Sequence, residues 1–169
     1  ITGSYTITEP AAVLAISSAT QTNVDCRGNS TGAITITIAG GTAGYTYAWS
    51  SGDAAASIIA KPAGNYTVTV TDTHNCKVSN SYTITEPAAV LAISSATQTN
   101  VDCRGNLTGA IAITVAGGTA AYTYLWSSAE VTALISNKAA NTYTVTATDT
   151  HGCKVTGSYT ITEPAANLA

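Results

Sequence analysis

The stretch Asn65–Cys76 reads NYTVTVTDTHNC, and it returns as Thr142–Cys153, TYTVTATDTHGC. Tyr66, Val68 and Val70 alternate with Thr67, Thr69 and Thr71. That is the period-two pattern of a strand with one buried and one solvated face. Asp72, Thr73, His74 and Asn75 follow, a run of turn formers that ends the strand before Cys76. The strand predicts a small β-domain built around it.

Working outward, the recurrence is not confined to this stretch. Cys26 recurs as Cys103, Trp49 as Trp126 and Cys76 as Cys153, each 77 residues on (103−26, 126−49, 153−76). Glu9, Glu86 and Glu163 keep the same step. A fixed period marks an array, and 77 residues suits one autonomous β-sandwich better than one turn of a solenoid. SYTITEPAAVLA at 4–15 repeats at 81–92, and again at 158–169 with Asn167 where Val13 and Val90 stand. The expected organisation is therefore the last strand of a preceding unit at 1–10, units at 11–87 and 88–164, and the opening of a following unit at 165–169, as in an excerpt of a longer array. The joints are Glu86-Pro87-Ala88-Ala89 and its copies, where proline restricts the backbone and predicts a stiff linker.

Within one unit, turn residues separate short alternating runs. Strands are expected at 14–20 (Leu14 and Ile16 inward), 33–39 (Ile34, Ile36 and Ile38), 45–50 (Tyr45, Tyr47 and Trp49), 57–60, 66–71, and 78–85 (Tyr82 and Ile84). Many short strands separated by turns predict an all-β sandwich. A polar loop at 22–32 carries Asp25, Cys26, Gly28 and Asn29. The copies differ at 19 of 77 aligned positions, ten of them between 52 and 65. That segment reads as an exposed edge under weak packing constraint, or as a tuned contact surface.

Charged residues make up 9% of the chain and the net charge is −3, against roughly 25% charged residues in ordinary soluble domains. No basic patch is available for nucleic acid or an anionic membrane, and no apolar run is long enough to span a bilayer. Threonine occupies surface positions that elsewhere carry Lys or Glu, a composition suited to an extracellular structural protein.

The blocks Cys26-Arg27-Gly28, Gly32-Ala33-Ile34, Gly40-Gly41, Tyr45 to Ser50, Gly64 to Asp72, Cys76 and Thr83-Ile84-Thr85-Glu86-Pro87 occur in order, twice. In this pattern the chain resembles the SprB-type repeat of Bacteroidetes gliding-motility and cell-surface adhesins. More distantly, through Tyr47-Ala48-Trp49 and Tyr66 to Asp72, it is similar to polycystic-kidney-disease-type immunoglobulin-like domains. The second copy departs at Asn141 (Gly64 in the first) and Ala147 (Val70). The resemblance implies tandem immunoglobulin-like sandwiches, export by a type IX secretion system, an extracellular location on the bacterial surface, and a role in adhesion or gliding.

In an exported protein the default state of paired cysteines is a disulfide. The within-repeat pairs Cys26–Cys76 and Cys103–Cys153 are favoured, and Cys26–Cys153 is the alternative. In simple alternating topology the loop before the second strand and the turn before the last lie at opposite ends of a sandwich, so a within-repeat bond needs the long loop to fold back.

Other chemistry is sparse. No nucleophile–base motif and no paired carboxylates are present, so no enzyme is expected. The cysteines lack zinc spacing, and Asp25, Asp53 and Asp72 are too scattered for a calcium cage, so neither metal nor cofactor is expected. His74 and His151 read as solvated turn histidines with Asp72 and Asp149 capping the turn. Trp49 and Trp126 are in phase with core tyrosines. Tyr66 is placed for a tyrosine-corner hydrogen bond, and Asn29, Asn65 and Asn106 lie in N-x-S/T sequons. The expected function is a stiff, disulfide-stabilised spacer or fibre segment of a long surface adhesin. The alternative is a carbohydrate- or protein-binding module. Candidate partners are neighbouring repeats of the same chain, other copies in a filament, including by exchange of the strand at 4–8, and surface glycans or another adhesion substrate.

Overall fold

The computed structural model describes residues 4–6 and 12–165. The first repeat contributes β1 (Ala15–Thr22), β2 (Gly32–Ala39), β3 (Thr46–Trp49), β4 (Ser57–Lys61), β5 (Gly64–Thr71) and β6 (Lys77–Ile84). The second contributes β7 (Ala92–Thr99), β8 (Gly109–Ala116), β9 (Thr123–Trp126), β10 (Leu134–Lys138), β11 (Asn141–Thr148) and β12 (Lys154–Ile161). Within each repeat the strands form two antiparallel sheets, β1-β2-β4 with β3-β5-β6, and β7-β8-β10 with β9-β11-β12. Among the described residues no helix is long and apolar enough to cross a membrane.

The alternation read from the sequence sets the packing. In β5, Tyr66, Val68 and Val70 are buried while the threonines point outward. They meet Ile34 and Ile36 of β2, Ile58 of β4, Trp49 of β3 and Ile84 of β6 in one core drawn from both sheets. The second repeat rebuilds that core with Ile111, Ile113, Ile135, Trp126, Tyr143, Val145, Ala147 and Ile161. Each fully buried aliphatic contributes about 1.5–3 kcal/mol. On the outer face Thr67 pairs with Ser81 at 2.8 Å and Thr69 with Ser79 at 2.9 Å. Cross-strand hydroxyl pairs thus stabilise the surface where charged pairs would do so elsewhere.

Two features close the ends of each sandwich. At one end Val24, buried within a loop that reads as polar, donates its N–H to Thr85 O at 2.9 Å, and Asn23 Oδ1 accepts the Thr85 N–H at 3.0 Å. Val101, Asn100 and Thr162 repeat this closure. Gly32 lies at the same end, where a Cβ would stand 2.6 Å from the Ile84 side chain. At the other end Gly40 and Gly41 adopt φ of 69° and 60°. A Cβ on Gly40 would lie 2.0 Å from Val13 O, and one on Gly41 would lie 2.8 Å from the Asp72 carboxylate. Only glycine fits both the left-handed backbone and the space.

The six strands expected per repeat are those that form, with ends displaced by a residue or two. Leu14 precedes β1, and Gly64 and Asn65 extend β5. The compact units are distributed differently from the expected 11–87 and 88–164. One comprises residues up to Val24 together with Asn29–Glu86, and the other comprises Asp25–Gly28 together with residues from Pro87 onward. Four residues of the first repeat's loop thus belong to the second unit. Residues 4–6 carry no strand, with Tyr5 exposed. The rest of the strand expected at 1–10, except the described residues 4–6, and residues 166–169 of the expected following unit, lie outside the described residues.

Candidate functional site

The chemistry of the chain collects at two local structures, the turn that closes each β5- or β11-type strand and the loop that carries Cys26 or Cys103. In the turn after β11, Asp149 is buried and acts as a hub. Its Oδ1 accepts the N–H groups of His151 and Cys153, both at 2.9 Å, and its Oδ2 accepts Thr119 N–H at 2.8 Å. His151 Nδ1 lies 2.9 Å from Thr119 Oγ1. Burial pushes the Asp149 carboxyl up. The N–H groups of Thr119, Cys153 and His151 and the nearby His151 charge outweigh it and hold the carboxyl below the usual range.

The turn after β5 has the same plan. Asp72 Oδ1 accepts His74 and Cys76 N–H at 2.9 Å, and Oδ2 accepts Thr42 N–H at 2.9 Å. The Thr42 N–H is the main influence holding the Asp72 carboxyl low, against an opposing effect of burial, with help from Cys76, His74 and the His74 charge. Asn75 and Gly152 take φ of 64° and 82° just before the cysteines, a conformation Asn and Gly tolerate. The histidines are therefore tied into their turns by Thr42 and Thr119, more firmly than a merely solvated residue.

The loop at Asp25–Gly28 packs within the second unit. Cys26 is bonded to Cys153, with sulfurs 2.06 Å apart and Cα atoms 5.7 Å apart. Arg27 donates to Pro87 O at 3.1 Å and Ala88 O at 2.7 Å, and Cys26 packs beside the second core. The favoured pairs Cys26–Cys76 and Cys103–Cys153 are not formed, and Cys76 and Cys103 are exposed thiols. The correction follows from topology. Cys26 lies near the Val24–Thr85 closure, whereas Cys76 lies beside Gly41 and Thr42 at the far end of β6. An eight-residue strand spans about 27 Å, many times the Cα spacing of a disulfide.

At the equivalent loop of the second repeat, Asp102 Oδ1 accepts Cys103 N–H at 2.6 Å, Thr108 Oγ1 at 2.8 Å and Asn106 Nδ2 at 3.0 Å. Thr108 is the largest influence holding the Asp102 carboxyl low. Arg104 donates to Ala165 O at 3.0 Å and lies 3.7 Å from Glu163, whose Oε2 accepts Gly105 N–H at 2.9 Å. This loop is held in the form of its counterpart without a sulfur partner.

The remaining candidates are dispersed. Asp53 pairs with Lys61 at 2.6 Å and with Ser51. Among the described residues no group of three His, Cys, Asp or Glu gathers to hold a metal. Trp49 and Trp126 are core residues whose indole N–H groups donate to Ala55 O at 2.9 Å and Thr132 O at 2.8 Å. Tyr66 OH donates to Pro62 O at 2.9 Å, the tyrosine-corner bond read from the sequence. The variable segment includes the edge strands β4 and β10 and exposes Ile59 in one repeat and Val131 and Leu134 in the other. The sequence did not single out the burial of Asp72 and Asp149. Each carboxylate followed two residues later by a turn histidine, with Gly-Gly-Thr some thirty residues upstream, was the available signal.

Two sheets sharing one core, built twice in one chain, define tandem immunoglobulin-like β-sandwiches. The SprB repeat model matches residues 18–54 and 95–131, one region in each repeat. The matches are 77 residues apart (95−18) and contain Cys26 and Cys103 but stop short of β5, β11, Cys76 and Cys153. Among solved structures, the chain is similar to the three N-terminal domains of the Highly Immunogenic Outer Capsid protein of bacteriophage RB49. The identity is 18% and the TM-score 0.50, over 88% of this chain and 58% of that one. The chain therefore spans just over half of that structure's length, and the likeness is one of fold. The N-terminal eight Ig domains of Down Syndrome Cell Adhesion Molecule align at 11% identity and TM-score 0.48, over 90% of this chain and 25% of that one. Domains 7, 8 and 9 of the S-layer protein SbsC align at 14% and 0.30, over 90% and 63%. No curated protein matches.

Proposed function

We propose that the chain is a non-catalytic structural segment of a long extracellular protein on a bacterial surface. Its repeats act as stiff spacers or fibre units in adhesion or gliding. One observation carries this reading: the Asp25–Gly28 loop of the first repeat is built covalently into the second unit. Successive repeats are then joined by a disulfide as well as by the peptide chain, which suits a part that bears load. The SprB match in each repeat and the charge-poor hydroxyl surface support it, and export through a type IX system is part of the same reading.

The test is display on intact cells. Antibody labelling and protease shaving should detect the segment outside the cell. In-frame deletion of one 77-residue repeat should shorten the fibre by one unit while leaving attachment intact. An intracellular segment would overturn the proposal. Attachment that survives loss of a repeat but is abolished by altering only 52–65 would replace it with the binding-module reading, which the concentration of repeat differences in that edge favours.

A further inference from the structure

The Cys26–Cys153 bond joins positions 127 residues apart in sequence, and this changes which residues can bear a pull along the chain. Only Asn23, Val24 and Asp25 separate the end of β1 from Cys26, and β12 begins at Lys154, directly after Cys153. Every other strand, β2 through β11, lies inside the loop that the disulfide closes. A pull entering ahead of β1 and leaving beyond β12 therefore has a covalent route along β1, across the disulfide and along β12. That route has little slack. A strand rises about 3.3–3.4 Å per residue, and a fully stretched chain reaches only about 3.3–3.6 Å per residue. Both strands are thus close to their limiting length while folded. Each is also an edge strand bonded to one antiparallel neighbour, β1 from Ala15↔Ala39 to Thr22↔Ala33 and β12 from Lys154↔Thr148 to Ile161↔Asn141. Tension enters one end of such a strand and leaves at the other, so it runs along the strand and does not peel it from its sheet.

We propose that the Cys26–Cys153 bond is an extension stop. Under tension β1, the disulfide and β12 carry the load, while residues 27–152, with most of both hydrophobic cores, stay outside the covalent load path. Opening of the sandwiches then releases no length between Cys26 and Cys153. The variable segment 52–65 and its counterpart 129–142 lie in the shielded span, so the surface that differs most between the repeats is separated from the load. Bonds confined to single repeats would do less, because Cys26–Cys76 and Cys103–Cys153 would leave residues 77–102, with β6 and β7, in the path. The use of the stop on a cell rests on the load-bearing role proposed above. The stop itself is a property of the isolated chain, so its failure and the failure of surface display are read in different experiments.

The test stretches the whole purified chain between handles at its two ends in a force spectrometer and compares final contour lengths with and without dithiothreitol. A dithiothreitol thiolate attacks one sulfur of the bond, and its second thiol closes the reagent to a cyclic disulfide. Cys26 and Cys153 gain two electrons and two protons and leave as thiols. Reduction of wild type should add about 420–460 Å, the length of the 127-residue separation. Cys76→Ser/Cys103→Ser should show the same increment, because neither thiol takes part in the stop. Adding Cys153→Ser to that variant should give the longer contour without reductant, and the reduced Cys76→Ser/Cys103→Ser chain supplies the same comparison if the triple variant does not fold. Full lengthening of Cys76→Ser/Cys103→Ser without reductant overturns the proposal. So does an increment of only about 330–360 Å in wild type, the sum for two bonds within repeats, or no increment at all.

Discussion

Cys76 and Cys153 end turns of nearly the same sequence and the same hydrogen bonding, and they differ in what covers them. Cys153 is bonded to Cys26 and buried, whereas Cys76 is an exposed thiol. Asp72 and Asp149 bind the same three amides within 0.1 Å. The turn is therefore formed locally and does not require a partner. What the Asp25–Gly28 loop adds is cover and a crosslink. One chain thus holds the turn both with and without a loop bonded to it, and the two versions separate the stability of the turn from that of the crosslink.

The largest effect should come from breaking the occupied version. Cys153→Ser or Cys26→Ser removes a bond that closes a separation of 127 residues. The chain-entropy model values such a constraint at about 3–5 kcal/mol, the lower end applying if the first unit stays folded while the second opens. Urea unfolding under non-reducing conditions should show this loss, and a reductant should produce it in wild type with no further effect on the variant. A loss below about 1 kcal/mol would mean that the loop is held by Arg27 and packing alone.

The next effect probes the turn itself. Gly118 and Gly41 hold φ of 58° and 60° and would place a Cβ 2.5 and 2.8 Å from the Asp149 and Asp72 carboxylates. Substitution by Ala should cost at least about 1–2 kcal/mol from left-handed backbone alone, with the clash in addition. Both variants should suffer, because the feature is common to the two turns. A tolerant Gly41→Ala beside an intolerant Gly118→Ala would show that the empty turn is looser than the occupied one.

The sequence made some of this legible and hid the rest for identifiable reasons. Alternation in β2 and β5 exposed the strands because one face of each is buried and the other carries threonines. The cysteine partner was hidden by the repeat itself. Cys76 and Cys153 hold the same place in successive repeats (153−76=77), so periodicity cannot choose between them as partners of Cys26. The choice is made by the sheet pairing, in which β6 runs the length of the sandwich and places its two ends at opposite poles. Val24 was obscured in a different way. Amid Thr22, Asn23 and Asp25 it reads as loop, and its burial depends on the N–H to Thr85 O that no local pattern announces.

A smaller and more local effect follows from pH. The carboxyls of Asp72 and Asp149 titrate below their usual value, about 3.9 in an unfolded chain. Their stabilisation is therefore fully present above that value and is lost as pH falls through the lower folded-state values. Thermal melts should lose stability on acidification below about pH 4. Asp72→Asn and Asp149→Asn should each weaken that acid dependence and lower stability at neutral pH. Amide exchange separates the two turns. Protection of the Cys76 N–H should collapse in Asp72→Asn, while that of Cys153 should fall less in Asp149→Asn because the disulfide still restrains it. Equal losses at the two cysteines would remove the distinction between occupied and empty turns.

The smallest effect is the control on which the comparison depends. Cys76→Ser and Cys103→Ser replace exposed, unbonded thiols and should change the stability of the single chain by no more than about 0.5 kcal/mol. The same chemical replacement at Cys153 removes a covalent restraint, so the contrast between these numbers isolates the crosslink from any intrinsic preference for sulfur in the turn. If Cys76→Ser were as costly as Cys153→Ser, the thiol itself would be a packing residue of the turn. The near-identity of the two turns in sequence would then reflect the needs of each sandwich alone and have nothing to do with joining one repeat to another.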